Sequence, residues 1–318
     1  MARFSDVKAK PKISIGIPVF NGVDYLSLAI DSILAQTYGD FELIICDNAS
    51  TDNTEQLCRE FAEKDDRIVY FRQPENLGAS VNFITTFELA RGTYFRWHGH
   101  DDMIAPTFLE ELVAVLESDP GCVLVYPRTV MIDERGREKW CFLEFMACDS
   151  EDPAKRLDAF VGPPKDDYTN PQFGLLRRKA MAQTDLLAPY LASDRTFLAH
   201  MALLGRCCEI PQVLFYRREH EQMSTSANKS KRDLHAWFDG KRPLLIFKQW
   251  RLLREYLGII HRTPMGTIDR LRCLWVLLKW MKTRGVRLLA ELMLPLFING
   301  RPTALGRFAI RTLKIKIP

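Results

Sequence analysis

Two adjacent carboxylates, Asp101-Asp102, close a polar cluster that begins at His98-Gly99-His100. The run before it, Thr93-Tyr94-Phe95-Arg96-Trp97, is aromatic-rich and has strand composition, and a helix opens near Pro106. A polar cluster between a strand and a helix stands where open α/β sheets bind ligands, just past the carboxyl end of a strand. Two acids there suit a hard divalent cation such as Mg²⁺ or Mn²⁺, and such a cation suits phosphate. The same pair is also well placed to cap the helix, so a structural reading stands beside the chemical one.

Similar clusters end the earlier strands. Ile13, Ile15, Ile17 and Val19 alternate as a strand that runs into Pro18-Val19-Phe20-Asn21-Gly22. The run Phe41-Glu42-Leu43-Ile44-Ile45-Cys46 leads to Asp47-Asn48-Ala49-Ser50, and Ile68-Val69-Tyr70-Phe71 leads to Glu75-Asn76-Leu77-Gly78. Tyr25, Leu28, Ala29, Ser32 and Ile33 have helical spacing, as do Leu57, Cys58 and Phe61, residues 79–90 and residues 108–117. A further strand covers 122–126. This order predicts an α/β fold, a mostly parallel Rossmann-like sheet with helices on both faces. Parallel strands would bring all four clusters to one edge. A nucleotide-sized ligand needs that arrangement: a loop for the base, an acid for hydroxyls and a metal for phosphates.

The second half is less regular. Residues 130–136 read as a strand into a turn, and 173–176 as a short strand. The polar stretch 144–171, with Pro153, Pro163, Pro164 and Pro171, reads as a flexible loop. Residues 194–204 read as a helix, followed by strands near Glu209 and over 213–217. From about Lys231 onward the pattern is helical.

The bulk properties narrow the class. Hydrophobic residues at 47% are enough for a packed core, which excludes global disorder. Eight cysteines are scattered without a CxxC or a Cys/His metal spacing, the pattern of buried free thiols in a reducing cytoplasm. Residues 1–12 lack the apolar segment of a secretory signal. Residues 241–318 hold 17 Lys/Arg against three acids, a net charge of +14, while residues 1–240 carry −10. A basic tail on an acidic body points to an anionic partner surface. In that tail Leu271, Leu274, Trp275, Leu278 and Met281 share a helical face, with Arg270, Arg272, Lys279, Lys282 and Arg284 around it. Residues 286–298 are apolar but interrupted by Arg287, Glu291 and Pro295. Neither stretch has the ~20 uncharged residues of a membrane span. Two placements follow: in a membrane interface, or as a helical bundle packed on the rest of the chain. No nucleic-acid module is recognisable, so nucleic acid is not an expected partner.

Ser14-Ile15-Gly16-Ile17-Pro18-Val19-Phe20-Asn21, Cys46-Asp47-Asn48-Ala49-Ser50-Thr51-Asp52, Asn76-Leu77-Gly78 and His100-Asp101-Asp102, in this order, resemble the family 2 glycosyltransferases of the GT-A fold. The resemblance covers about residues 12–225. It implies a GT-A domain over 12–228, with a nucleotide-binding half at 12–128 and an acceptor half at 129–228. A basic helical region over 229–318 would follow. It also implies inverting transfer of a sugar from a nucleoside diphosphate donor, by family frequency a UDP-sugar. The acceptor would be lipid-linked or a polysaccharide, at the cytoplasmic face of a membrane. Carried over by position, Pro18, Phe20 and Asn21 would line the base pocket, and Asp47 would contact base or ribose. Asn76 and Gly78 would shape the nucleotide loop. Asp101 would be the last acid of the Asp-x-Asp motif, touching nucleotide and metal. Gly99 stands where the first acid is expected, which leaves His98, His100 or Asp102 to complete the shell. Ser193-Asp194-Arg195 resembles the acidic pair before the acceptor helix, with Asp194 as general base and Ser193 in place of the first acid. In Tyr216-Arg217-Arg218-Glu219-His220, His220 would reach metal or diphosphate, and Arg217 or Arg218 would pair with phosphate. Two other classes compete: a non-catalytic nucleotide-sugar binder, and a nucleotidyltransferase. The second usually has a Gly-rich basic loop after the first strand, which Asn21-Gly22-Val23-Asp24 lacks.

Overall fold

A computed structural model describes residues 10–141, 148–162, 170–221, 223, 231–239, 247–293, 297–298 and 301–302. Four strands, β1 (Ile13–Val19), β2 (Phe41–Asp47), β3 (Ile68–Arg72) and β4 (Tyr94–Trp97), pair in parallel in the order β3-β2-β1-β4. Helices α1 (Leu26–Leu34), α2 (Thr54–Lys64) and α3 (Ala79–Glu88) make the crossovers. The period-2 alternation of the strands explains the two-sided burial. Ile13, Ile15, Ile17, Val19, Leu43 and Ile45 pack on one face with α1 and with α4 (Phe108–Ser118). Ile44, Cys46, Phe95 and Trp97 pack on the other face with α3. The register sets Val19 beside Asp47 and Asp47 beside Arg72, so the carboxyl ends of β1, β2 and β3 share one edge.

Outside this half the sheet is mixed, with one long parallel pairing among antiparallel ones. Beyond β4 the sheet continues with β8 (Leu175–Arg177), β6 (Cys122–Ile132), β9 (Arg206–Arg218) and the short β5 (Met103–Ile104). β8 runs antiparallel to both β4 and β6, β9 runs parallel to β6, and β5 runs antiparallel to β9. β7 (Glu138–Cys141) folds back on β6 through a turn at Gly136, whose φ of 80° suits glycine. The two strands expected near Glu209 and over 213–217 are one 13-residue strand. It passes Pro211 because its register against β6 shifts around Pro127 and Arg128.

The stretch 144–171 is not simply a loop. It holds α5 (Pro153–Val161), started by Asp152, whose side chain accepts the Ala154 N–H, and by Pro153 in the first turn. Ala154, Leu157, Phe160 and Val161 are its buried side. Residues 142–147 and 163–169, including Pro163 and Pro164, lie outside the described residues; Pro171 sits in a 3₁₀ turn, Asn170–Phe173.

Helix α6 (Arg178–Met181) leads to α7 (Ser193–Leu204), and α8 (Lys231–Asp239), α9 (Lys248–Arg262) and α10 (Thr267–Met293) follow β9. A two-residue hairpin, β10 (Phe297–Ile298) with β11 (Arg301–Pro302), comes last. α9 and α10 pack as a bundle into the core already formed by α5, α7 and β4: Tyr256, Ile259, Cys273, Leu277 and Trp280 belong to one cluster with Trp97, Leu157 and Phe197. Among the described residues no helix is long and apolar enough to cross a membrane.

Candidate active site

The loops after β1 and β2 are tied to each other. The Asn21 N–H donates to Ser50 Oγ at 2.9 Å, the Thr51 N–H to Asn21 Oδ1 at 2.8 Å, and the Gly22 N–H to Thr54 Oγ1 at 2.9 Å. Asn21 and Ala49 hold positive φ of 53° and 60°, backbone strain that these bonds sustain. Asn48 extends the lacing to the next loop: its Nδ2 donates to Asn76 Oδ1 at 2.9 Å and its Oδ1 accepts the Leu77 N–H at 2.9 Å. Gly78 then turns the chain into α3 at φ 85° and ψ 160°, a conformation that essentially only glycine adopts.

A cavity of about 150 Å³ opens between these loops. Of the expected nucleotide residues, Pro18, Phe20 and Asn76 are on its wall. Asn21 and Gly78 support the wall rather than form it. Asp47 departs from its expected contact with base or ribose. It is fully buried, and its carboxylate accepts Arg72 Nη1 at 2.7 Å, the Tyr70 hydroxyl at 2.8 Å and the Ser50 N–H at 2.8 Å. Its neighbour Asn48 takes the place on the wall, with Asn82, His100 and Trp237 of α8. Asn82 Nδ2 donates to the carbonyls of Cys46 and Val19, at 2.7 and 3.3 Å, which fixes the amide. Its Oδ1 is buried with no partner among the described residues. Sequence reading gave Asn48, Asn82 and Trp237 no role and expected His100 at the metal; Asn48 stands inside the motif after β2, but its side-chain direction follows only from the sheet.

Beyond the cavity the two halves of the chain meet. His220 Nε2 lies 2.8 Å from Asp101 Oδ2. The His220 ring rests on Tyr25, centroids 4.7 Å apart. Burial acts to raise the Asp101 carboxyl, but the charges of His100 and His220 and the His220 hydrogen bond overcome it and hold the group below the usual range. Burial, then the negative charge of Asp101, pushes Asp102 the other way. Asp102 is not a helix cap: α4 starts at Phe108 with Thr107 before it. Asp102 Oδ1 instead accepts the Arg218 N–H at 3.0 Å and ties the β4 loop to β9. A Cβ at Gly99 would stand 2.5 Å from Asp102 Oδ2 and 2.8 Å from Asp101 Oδ1. The space of the expected first acid is thus filled by the carboxylates of the following two.

Beneath this cluster Arg96 is fully buried, 3.0 Å from His98 Nδ1 and 4.1 Å from the Phe108 ring centre. Burial pushes the Arg96 guanidinium down to about 9. Burial, then the charge of Arg96, keeps His98 neutral. Arg96 therefore donates to Nδ1, and His98 carries its proton on Nε2.

The two arginines expected on phosphate have different surroundings. Arg218 is buried, and its guanidinium donates to the carbonyls of Asp101, Asp133 and Glu134, each at 3.0 Å. That makes it a brace between loops. Arg217, on the other side of the strand, is half-buried, bonds Asn170 Oδ1 at 3.0 Å and lowers Asp102 through its charge.

Asp194 lies in the first turn of α7, after Ala192 at φ 66°. Its Oδ1 accepts the Arg195 N–H at 2.9 Å, and no side-chain cap bond is made at that helix start. Burial raises its carboxyl, and the nearby Arg195 and Lys248 only partly offset this. Ser193, in the place of the expected first acid, is buried with Oγ unpartnered among the described residues. No hydrogen bond links Asp194 to the Asp101–His220 pair among the described residues. The tie is through packing: Phe197 of α7 meets Trp97 of β4, centroids 5.3 Å apart. A second group with metal-ligand chemistry, Asp119, Cys122 and Cys208, lies at the starts of β6 and β9, on the opposite edge of the sheet. There Arg206 already pairs with Asp119 at 2.5 Å.

The sheet with its flanking helices, and the polar site beyond its carboxyl edge, define an α/β nucleotide-type fold. The chain belongs to glycosyl transferase family 2, whose family model matches residues 14–184, more than half of the 318 residues. An uncharacterized glycosyltransferase of Rickettsia typhi is 34% identical over 155 residues, 48% of this chain and 46% of that protein. Glycosyltransferase GlyA of Streptococcus pneumoniae is 38% identical over 101 residues, 32% of this chain and 14% of that protein. The chain thus spans less than half the length of these curated relatives. Among solved structures, TarS of S. aureus in complex with UDP superposes with a TM-score of 0.60 at 15% identity, covering 96% of this chain and 76% of that one. Mannosyltransferase PcManGT from Pyrobaculum calidifontis, in complex with GDP-Man and Mn²⁺, gives 0.50 at 15% identity, covering 98% and 78%.

Proposed function

We propose that this chain is an inverting glycosyltransferase. It moves a sugar from a nucleoside diphosphate donor, a UDP-sugar by family frequency, to a hydroxyl of a lipid-linked or polysaccharide acceptor. The observation that carries the reading is the Asp101–His220 pair, 2.8 Å apart and 119 residues distant in sequence, beside a cavity walled by four strand-end loops. A carboxylate and an imidazole with a second carboxylate, Asp102, alongside are a donor set that fits Mn²⁺ or Mg²⁺. Asp101 and His220 would hold the ion, with Asp102 available to it. A bound ion would neutralise charge growing on the departing diphosphate. Arg217 adds a second positive charge on that side. Pro18, Phe20 and Asn76 seat the nucleoside, and the unpartnered Asn82 Oδ1 offers it an acceptor. Asp194 takes the proton of the attacking hydroxyl, and burial favours that proton by raising the carboxyl. The UDP bound by TarS and the GDP-Man and Mn²⁺ bound by PcManGT support this reading. The net +14 of residues 241–318 supports a peripheral position at the cytoplasmic face of a membrane.

The test is Asp194→Asn, assayed for transfer and, separately, for nucleotide binding. Loss of transfer with binding intact is expected. Normal transfer by this variant would remove Asp194 from the mechanism.

A further inference from the structure

A surface helix turns its apolar side inward and its polar side to water. α10 is apolar on both sides. Cys273, Val276, Leu277, Trp280 and Leu288 are buried in the core. On the opposite side Ile268, Leu271, Trp275, Leu278, Val286 and Leu289 are between 55% and 84% exposed. Residues three and four apart share a helix side, so these form one stripe. At 1.5 Å per residue the stripe is about 30 Å long. Trp250 of α9, itself 37% exposed, flanks its far end, with its indole N–H donating to the Leu288 carbonyl at 3.0 Å. Exposed apolar surface of this length marks an interaction site.

The charges around the stripe identify what covers it. Lys282 interrupts the stripe, and Arg272 and Lys279 flank it. Lys155 of α5 and Lys279 line a groove of about 430 Å³ beside Leu271 and Trp275. Two acids also line that groove. Asp152 is taken by Arg272 at 2.6 Å, which leaves Asp158 against the two lysines. The acids of α10 itself have basic or main-chain partners: Glu291 accepts the Gln249 N–H at 2.8 Å, and Asp269 lies 4.0 Å from Arg272. A second copy of this chain would set the same cations against each other. An anionic bilayer supplies acyl chains for the stripe and phosphates for the lysines along its whole length.

We infer that α10 lies in the headgroup layer of an anionic bilayer, with its outer stripe inserted and the α5–α10 groove holding a lipid phosphate between Lys155 and Lys279. This rests on the peripheral-membrane reading above and names the surface that achieves it. The full chain is spun with vesicles of phosphatidylcholine, alone or mixed with phosphatidylglycerol, at low and high salt. The wild type is expected to pellet with the mixed vesicles and to be released by salt. Leu271→Ser/Trp275→Ser/Leu278→Ser and Lys155→Glu/Lys279→Glu should each weaken partitioning about tenfold or more, since the first removes inserted area and the second reverses the charge. Their melting temperatures and nucleotide binding should stay at the wild-type values, because all five side chains are exposed. Wild-type pelleting that both variants match would overturn this surface and leave the membrane reading standing. No wild-type pelleting would overturn both. A wild-type dimer in light scattering that the triple variant converts to monomer would mean that a second copy covers the stripe, and would also overturn the inference.

Discussion

Replacing Arg218 by Met removes three hydrogen bonds to main-chain carbonyls, those of Asp101, Asp133 and Glu134, each at 3.0 Å. The side chain is 1% exposed, so water cannot take its place without opening the loops. Each stranded buried carbonyl costs about 1–3 kcal/mol, and the low end applies where loops relax. The guanidinium also lies 4.9 Å from the Tyr25 ring centre, a contact of about 0.5–1 kcal/mol. Met retains most of the apolar stem, which offsets part of the loss. The expected destabilisation is about 3–5 kcal/mol, or about 5–8 °C in Tm for a chain of this size. Arg217→Met removes one bond, to Asn170, from a half-buried side chain, and should stay within about 1 kcal/mol. Its effect should fall on the affinity for a nucleoside diphosphate with Mn²⁺. Urea unfolding followed by circular dichroism, with titration calorimetry of UDP and GDP, separates the two. The reasoning fails if Arg218→Met unfolds at the wild-type midpoint while losing nucleotide affinity, because Arg218 would then be the phosphate ligand.

Other outcomes follow from the same geometry. The Asp194 carboxyl is raised by burial, so the base becomes protonated, and kcat/KM falls, at a higher pH than for an ordinary aspartate near 3.9; an acidic limb at or below that value would contradict the assignment. Excess chelator should abolish transfer, and full activity in its presence would exclude the metal. Gly99→Ala should destabilise by about 1–3 kcal/mol and weaken metal-dependent nucleotide binding. Its Cβ would meet the Asp101 and Asp102 carboxylates, which His220 and the Arg218 N–H hold in place. A thermal-shift series showing no change for this variant would refute the packing argument.

The first half of the chain was readable because its signals are local. Alternating apolar residues in β1 and β2, and Gly and Asn at the strand ends, give element type and edge together. The Asp101–His220 meeting was expected only through the family resemblance, since no spacing rule spans 119 residues. What local reading could not supply was side-chain direction. Asp47 is acidic at a strand end, as a ligand contact should be. Its partners Tyr70 and Arg72 come from the neighbouring strand, and only the register with β3 shows that they take its charge. Arg217 and Arg218 are identical in type, and a strand sends them to opposite sides; which one faces in depends on where β9 docks. α5 was hidden by composition: four prolines across 144–171 outweighed the Asp152-Pro153 start signal and the spacing of Leu157, Phe160 and Val161.

The long sequence separation between Asp101 and His220 has a consequence for synthesis. Both Asp194 and His220 lie beyond residue 184, where the match to the family model ends. A ribosome-bound chain that has released only the four-strand parallel half holds the strand-end loops of the cavity without His220, Asp194 or the Arg218 brace of β9. Under the proposed roles such a chain would lack both the general base and one metal ligand. On the proposed mechanism, transfer would await the docking of β9, and chains released short of it would leave the donor intact.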